Sequence, residues 1–316
     1  MIHTAARVKV LAILLGLCFL PHLCSGQGLS PRAYIITPIH SNAVTVTYTL
    51  NDGNIVFDPT LPVENASGRI GTEIFTYVHA MSIFGRSANV NASLPYSIGH
   101  FKADINGTKV ELYRSGLGAT VVRASVNLFG ASAMTPQEYM KWHQKTLIGV
   151  SLTVSTQTGQ YDPARLVNIA DNRWSFKPEV GLSRRWGNWV ADVYGGVWFF
   201  TPNTDFFSNA PGSVGPNRQT QEAMGSTEAH LSYDVKPRLW VSLDGNYWYG
   251  GRTSLNGVLK TTSLQANSRL GGTAAIPFGK HQALKLSYNT GTYIRIGGDY
   301  QTVSVAWQYS WLGRPQ

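Results

Sequence analysis

Between Val44 and Leu50 the chain alternates residue by residue. Val44, Val46, Tyr48 and Leu50 share one face, and Thr45, Thr47 and Thr49 share the other. The same period returns, in segments of about ten residues, as far as Val303, Val305, Trp307, Tyr309 and Trp311. A period of two is the mark of a strand with two unlike faces. Carried along most of a chain, it suits a soluble barrel or sandwich with an apolar interior, or a membrane barrel with an apolar exterior. The charges choose between them. Glu179, Asp192, Glu228, Asp244 and Arg269 all fall on the polar face. Burying them together in an apolar interior would be costly, whereas a wet lumen accommodates them. The expected fold is therefore all-β, a transmembrane antiparallel β-barrel of about twelve strands.

Composition agrees. Charged residues make up 14% of the chain, against about 25% in soluble domains. A mean hydropathy of −0.10 does not argue against a membrane, because half of every barrel strand is polar. After residue 26 no apolar run is long enough for a membrane helix. Residues 1–26 read as a secretory signal: Arg7 and Lys9 precede the apolar stretch Val10 to Leu20, and cleavage follows Gly26. Residues 27–316 then form one barrel domain. Both cysteines, Cys18 and Cys24, lie in the signal, so the mature chain has no disulfide or thiolate chemistry. The formal charge of +9 becomes +7 without Arg7 and Lys9, and its bases are scattered rather than clustered. That pattern argues against nucleic acid as a partner.

The alternation places strands at 43–50, 72–83, 87–94, 117–128, 146–157, about 174–183, 189–200, 227–235, 239–249, 263–276, 283–293 and 301–311. The parity of the second is ambiguous, since Phe75, Tyr77 and Met81 share a face with Glu73 and His79. Long loops are expected at 51–71, 95–116, 158–173, 201–223 and 250–262. A short helix is expected over Met134 to Met140, with Thr135 as its N-cap and Pro136 at its first position. Trp186, Trp189, Trp240 and Trp311 gather at one rim and Trp174, Phe199 and Tyr249 at the other, as interfacial belts do.

The polar face supplies the candidate lumen-lining residues: Arg123, Lys177, Glu179, Asp192, Glu228, His230, Asp244, Arg269 and Lys285. They can face one another across an open constriction, or pair within a plugged lumen. No catalytic residue, metal ligand or cofactor motif is assigned. His230 lies two residues from Glu228 and from Ser232, roughly 7 Å along one strand, too far for a relay within that strand. A cross-strand relay with Asp192 or Asp244 stays open. The paired glycines, such as Gly195-Gly196 and Gly250-Gly251, precede no helix and are not phosphate loops.

Several stretches carry a resemblance. They are Pro31-Arg32-Ala33-Tyr34 with Thr37-Pro38, Phe84-Gly85-Arg86-Ser87-Ala88-Asn89 with Leu94-Pro95-Tyr96, and Val126-Asn127-Leu128-Phe129-Gly130-Ala131. Further on are Asn172 to Glu179, Gly196 to Thr201, Tyr249 to Thr253, and Val303 to Tyr309. Together they resemble the family of outer-membrane proteins labelled "MetA-pathway of phenol degradation". The chain departs from that family at Gly118-Ala119-Thr120, where an acidic residue usually follows the glycine. The resemblance implies an outer-membrane barrel with a role in uptake of hydrophobic or aromatic compounds. The expected function is thus a passive channel for small, hydrophobic or aromatic molecules in the outer membrane of a Gram-negative bacterium. Its partners would be outer-membrane lipid, lipopolysaccharide and the solute. The alternatives are a structural or surface barrel acting through its external loops, and a barrel hydrolase.

Overall fold

A computed structural model describes residues 30–57, 63–209 and 215–313. The expected signal, 1–26, lies outside the described residues. Twelve of the described strands close a ring: β1 (Ser41–Val56), β2 (Val63–Ile83), β3 (Arg86–Ile105), β5 (Val121–Phe129), β6 (Thr146–Ser155), β7 (Ser175–Trp186), β8 (Trp189–Phe200), β10 (Met224–Lys236), β11 (Leu239–Gly250), β14 (Gln265–Phe278), β15 (Gln282–Ile294) and β16 (Gly297–Leu312). All neighbours are antiparallel. The ring is sealed by β1 against β16, in register from Ser41↔Leu312 to Val56↔Gly297. Closure removes the edges that would otherwise lie unpaired in lipid.

The outer face is apolar. Val180, Val193 and Leu243 are more than half exposed, and they neighbour other exposed aliphatics all round the barrel. A soluble monomer rarely shows a contiguous apolar patch above a few hundred Å², so this band is a lipid-facing surface. The parity of β2 resolves with Phe75 and Tyr77 outward. Glu73 shares that face, in register with Tyr48 and Tyr96 of the flanking strands. Trp174, Trp186, Trp189, Phe199 and Tyr249 are exposed at the rims as expected. Trp240 is a correction: it lies beneath the Arg32 guanidinium at 4.4 Å and lines the lumen. Its parity with Ser242 and Asp244 carried that information. Spin labels at Leu231 and Leu243 should therefore report hydrocarbon, and labels at Ser232 and Ser242 should not. The reverse accessibility in oxygen and nickel relaxation would overturn the assigned faces.

Two expected loops are largely sheet, and two more contribute short strands. The stretch 95–116 forms the outer half of β3 and β4 (Thr108–Leu117), which pair as a hairpin. Asn106-Gly107 turns it, with φ of 49° and 75°, the conformation that an Asn-Gly hairpin turn requires. Leu117 thus ends β4, and β5 starts only at Val121. The stretch 51–71 mostly extends β1 and β2. The loops 201–223 and 250–262 contribute β9 (Gln219–Gln221), β12 (Thr253–Leu255) and β13 (Val258–Lys260), a small separate sheet.

The helix α1 (Pro136–Lys141) forms where expected. Thr135 accepts from the Glu138 backbone, and Glu138 accepts from the Thr135 backbone, a reciprocal cap. These bonds hold the Glu138 carboxyl below its usual range, the backbone bond from Thr135 first. The sign follows: the cap is complete above the ordinary carboxylate pKa and is lost as pH falls through the depressed one. Amide exchange, corrected for its intrinsic pH dependence, is expected to quicken at Glu138 in Thr135→Ala and at Thr135 at low pH. No quickening in either case would show that the cap is idle. Beside α1, Ala131, Met134 and Leu147 pack around Ile36. The 129–145 connection is therefore a floor beneath the segment that enters the barrel.

Candidate functional site

That segment, residues 30–36, is a plug. Its core is Tyr34, 2% exposed, whose hydroxyl donates to Glu179 Oε1 at 3.0 Å and contacts Ser151 Oγ at 2.9 Å. The ring lies against Gly149 and Gly181. A Cβ on either glycine would sit 2.4 Å or less from ring carbons, so these two wall positions must lack a side chain. The Arg123 guanidinium covers one ring face at 4.9 Å, and Tyr194 meets the ring edge-on at 5.1 Å. Around Tyr34 the backbone is held polar group by polar group. Ser30 N donates to Glu228 Oε2 (3.4 Å), Arg32 N to Asp192 Oδ2 (3.3 Å) and Ala33 N to Tyr194 Oη (3.0 Å). Arg32 Nη2 reaches Asp234 Oδ1 at 2.7 Å.

The wall beneath the plug is acidic and crowded. Lys177 Nζ lies 2.6 Å from Glu179 Oε2 and 3.3 Å from Glu228 Oε1. Arg123 Nη2 is 3.6 Å from Glu179 Oε1. His230 Nδ1 meets Asp244 Oδ1 at 2.9 Å, and its Nε2 lies 3.5 Å from Glu228 Oε2. Thr273 Oγ1 donates to the other Asp244 oxygen at 2.6 Å. So six sequence-assigned residues, Arg123, Lys177, Glu179, Glu228, His230 and Asp244, form one network across β5, β7, β10 and β11, and Asp192 of β8, buried beside it, is bound by the plug's Arg32 backbone. The network is the paired arrangement of the two that the sequence allowed. Both ring nitrogens of His230 face carboxylates, rather than one facing a carboxylate and the other a hydroxyl as in a hydrolytic relay.

Arg269 and Lys285 stand apart from that network. Arg269 lines a cavity of about 240 Å³ toward the external loops. Lys285 lines a cavity of about 800 Å³ at the opposite mouth, beside Arg32, Asp234 and Trp240. Along β14, β15, β16 and β1 the two cavities are lined by successive lumen-facing positions. Opposite the plug, these strands present small or neutral residues, with Lys285 as the exception among those that follow. Thr273, Ser287, Ser304 and Thr49 line the outer cavity. Ala275, Lys285, Ala306 and Thr45, each two or four positions further along the same strands, line the inner one. The hydroxyls are cross-bonded, Thr49 to Ser304 at 2.8 Å and, on β2 and β3, Thr72 to Ser97 at 2.9 Å. The lumen is thus two-sided, with a plugged acidic wall and a bare hydroxyl wall. The signal for the second was the Thr45, Thr47, Thr49 face.

A family model described as "Putative MetA-pathway of phenol degradation" matches residues 47–295. A search of curated proteins finds no significant match. Among solved structures, an outer membrane channel from Pseudomonas putida F1 superposes with a TM-score of 0.74. It is 15% identical, and the match covers 90% of this chain and 100% of that one. The transport unit of the autotransporter AIDA-I from Escherichia coli gives a TM-score of 0.48 at 9% identity, over 92% of this chain and 94% of that one.

Proposed function

Starting from the premise that this chain belongs to the phenol-degradation MetA-pathway family, we propose that it is a passive outer-membrane channel for small hydrophobic or aromatic solutes. The observation that carries the reading is the two-sided lumen. The plug takes the acidic wall, and the two cavities are lined by successive positions of the opposite wall, along which the proposed route runs from the external vestibule to the opposite mouth. Water and solute exchange hydrogen bonds readily with serine and threonine hydroxyls, which hold no solute as strongly as a charge would. The fold shared with the Pseudomonas putida channel supports the reading, and the family description supports an aromatic solute. The aliphatic outer band suits the outer membrane of a Gram-negative bacterium, with lipid and lipopolysaccharide as its surroundings. A channel rather than a hydrolase is proposed, because both nitrogens of His230 face carboxylates and neither faces a hydroxyl.

Purified protein in planar bilayers is expected to give stepwise current. Folded, inserted protein that passes none would favour a structural barrel acting through its loops. Cells with the protein should take up labelled phenolics faster than cells without it, and equal rates would remove the aromatic assignment.

A further inference from the structure

The external vestibule has the features of a ligand site. Its charged lining is Asp171, Arg173 and Arg269. Asp171 lies 3.7 Å from Arg173, whereas among the described residues no carboxylate lies within ion-pair distance of Arg269. The Arg269 guanidinium has five donor hydrogens. Its hydrogen bond runs from Nη2 to the Gly298 carbonyl at 3.2 Å, and its buried Nε has no acceptor. The side chain is not loose, since its guanidinium lies 5.6 Å from the centre of the Trp248 ring. Ile74, Phe200 and Ile296 supply an apolar lining to the same space. A cavity of about 240 Å³ lies below the roughly 300–1,000 Å³ that drug-sized ligands occupy, so it suits a single ring.

From this geometry we infer that the vestibule binds an aromatic monocarboxylate, its carboxylate on Arg269 and its ring against Ile74, Phe200 and Ile296. The inference rests on the channel reading for its purpose, and it narrows the solute class. A guanidinium with unmet donors prefers a planar carboxylate, which accepts two parallel hydrogen bonds. The ring contributes apolar burial that a small inorganic anion lacks. The acidic wall repels such a ligand further in, so the hydroxyl wall with Lys285 at its far end is the compatible exit.

The test is equilibrium binding to the full, detergent-folded chain, read by tryptophan fluorescence and calorimetry. The probes are benzoate, benzyl alcohol with the same ring and no charge, and acetate with the charge and no ring. Benzoate should saturate, with the other two weaker by about tenfold or more. Arg269→Gln should weaken benzoate by about tenfold and leave benzyl alcohol unchanged. Absent saturation, equal binding of benzyl alcohol, or an Arg269→Gln protein that binds benzoate as before would each overturn the site. The comparison of the three probes on the unmodified chain decides the matter even if the variant misfolds. Bilayer current measured on the same preparation separates the two readings. Current without benzoate binding removes the site and keeps the channel, and binding without current does the opposite.

Discussion

Deleting residues 30–36 is expected to raise single-channel conductance severalfold and to shift selectivity toward cations. The plug fills the part of the lumen between Tyr34 and the β6–β8 wall, and its removal widens the narrowest section. It also takes away Arg32 and uncovers Glu179, Asp192, Glu228 and Asp234, the carboxylates that now receive its backbone donors, hydroxyl and guanidinium. A pore wall with excess carboxylates attracts cations. Reversal potentials in a salt gradient would read that shift directly. Gly181→Leu offers a second route to the same result without shortening the chain. Its Cβ would stand 2.1 Å from the Tyr34 ring, and the β7 backbone, bonded to strands on both sides, cannot retreat as easily as the plug, which belongs to no sheet. Unchanged conductance in both proteins would mean that the plug does not limit flow.

Lys177→Met is expected to destabilise the barrel by about 3–5 kcal/mol. Among the described residues Lys177 is the one cation that touches both Glu179 and Glu228, and all three side chains are nearly inaccessible to water. Methionine fills similar volume but leaves two carboxylates without that partner in a dry site, which costs more than the ion pairs themselves contribute. Adding Glu228→Gln should recover a substantial part of the loss, because the remaining glutamate keeps Arg123 and Tyr34. Unfolding in guanidinium, followed by intrinsic fluorescence, measures both proteins as a double-mutant cycle. A single variant as stable as the parent would show that water or counterions already satisfy these acids. The effect is opposite in kind to that of the plug deletion, since conductance changes there and the wall itself weakens here.

The resemblance stretches contained more than their alternation conveyed. Pro31-Arg32-Ala33-Tyr34 lies ahead of the first strand and has no period of its own, so nothing local indicates that it turns into the barrel. Its partners, Asp192, Tyr194, Glu179 and Asp234, lie 145 or more residues away. Gly149 and Gly181 read as ordinary strand glycines until Tyr34 is set against them. The missed hairpin between β3 and β4 is different, because Asn106-Gly107 was a local signal of a turn and the stretch around it alternates. Arg269 and Lys285 were placed with the other charges by parity alone. Parity assigns a face, but it does not assign a depth along the barrel axis.

Alternation by itself determined that this chain closes into a barrel with lipid outside and polar groups within, because a side chain's face depends only on its position along a strand. It also determined which charges face inward. Only the tertiary structure decided which of those charges meet, that an N-terminal segment lies over the acidic wall, and that a hydroxyl wall stays bare. Those outcomes depend on strand register and on contacts between residues far apart in the chain, and no short-range pattern encodes them.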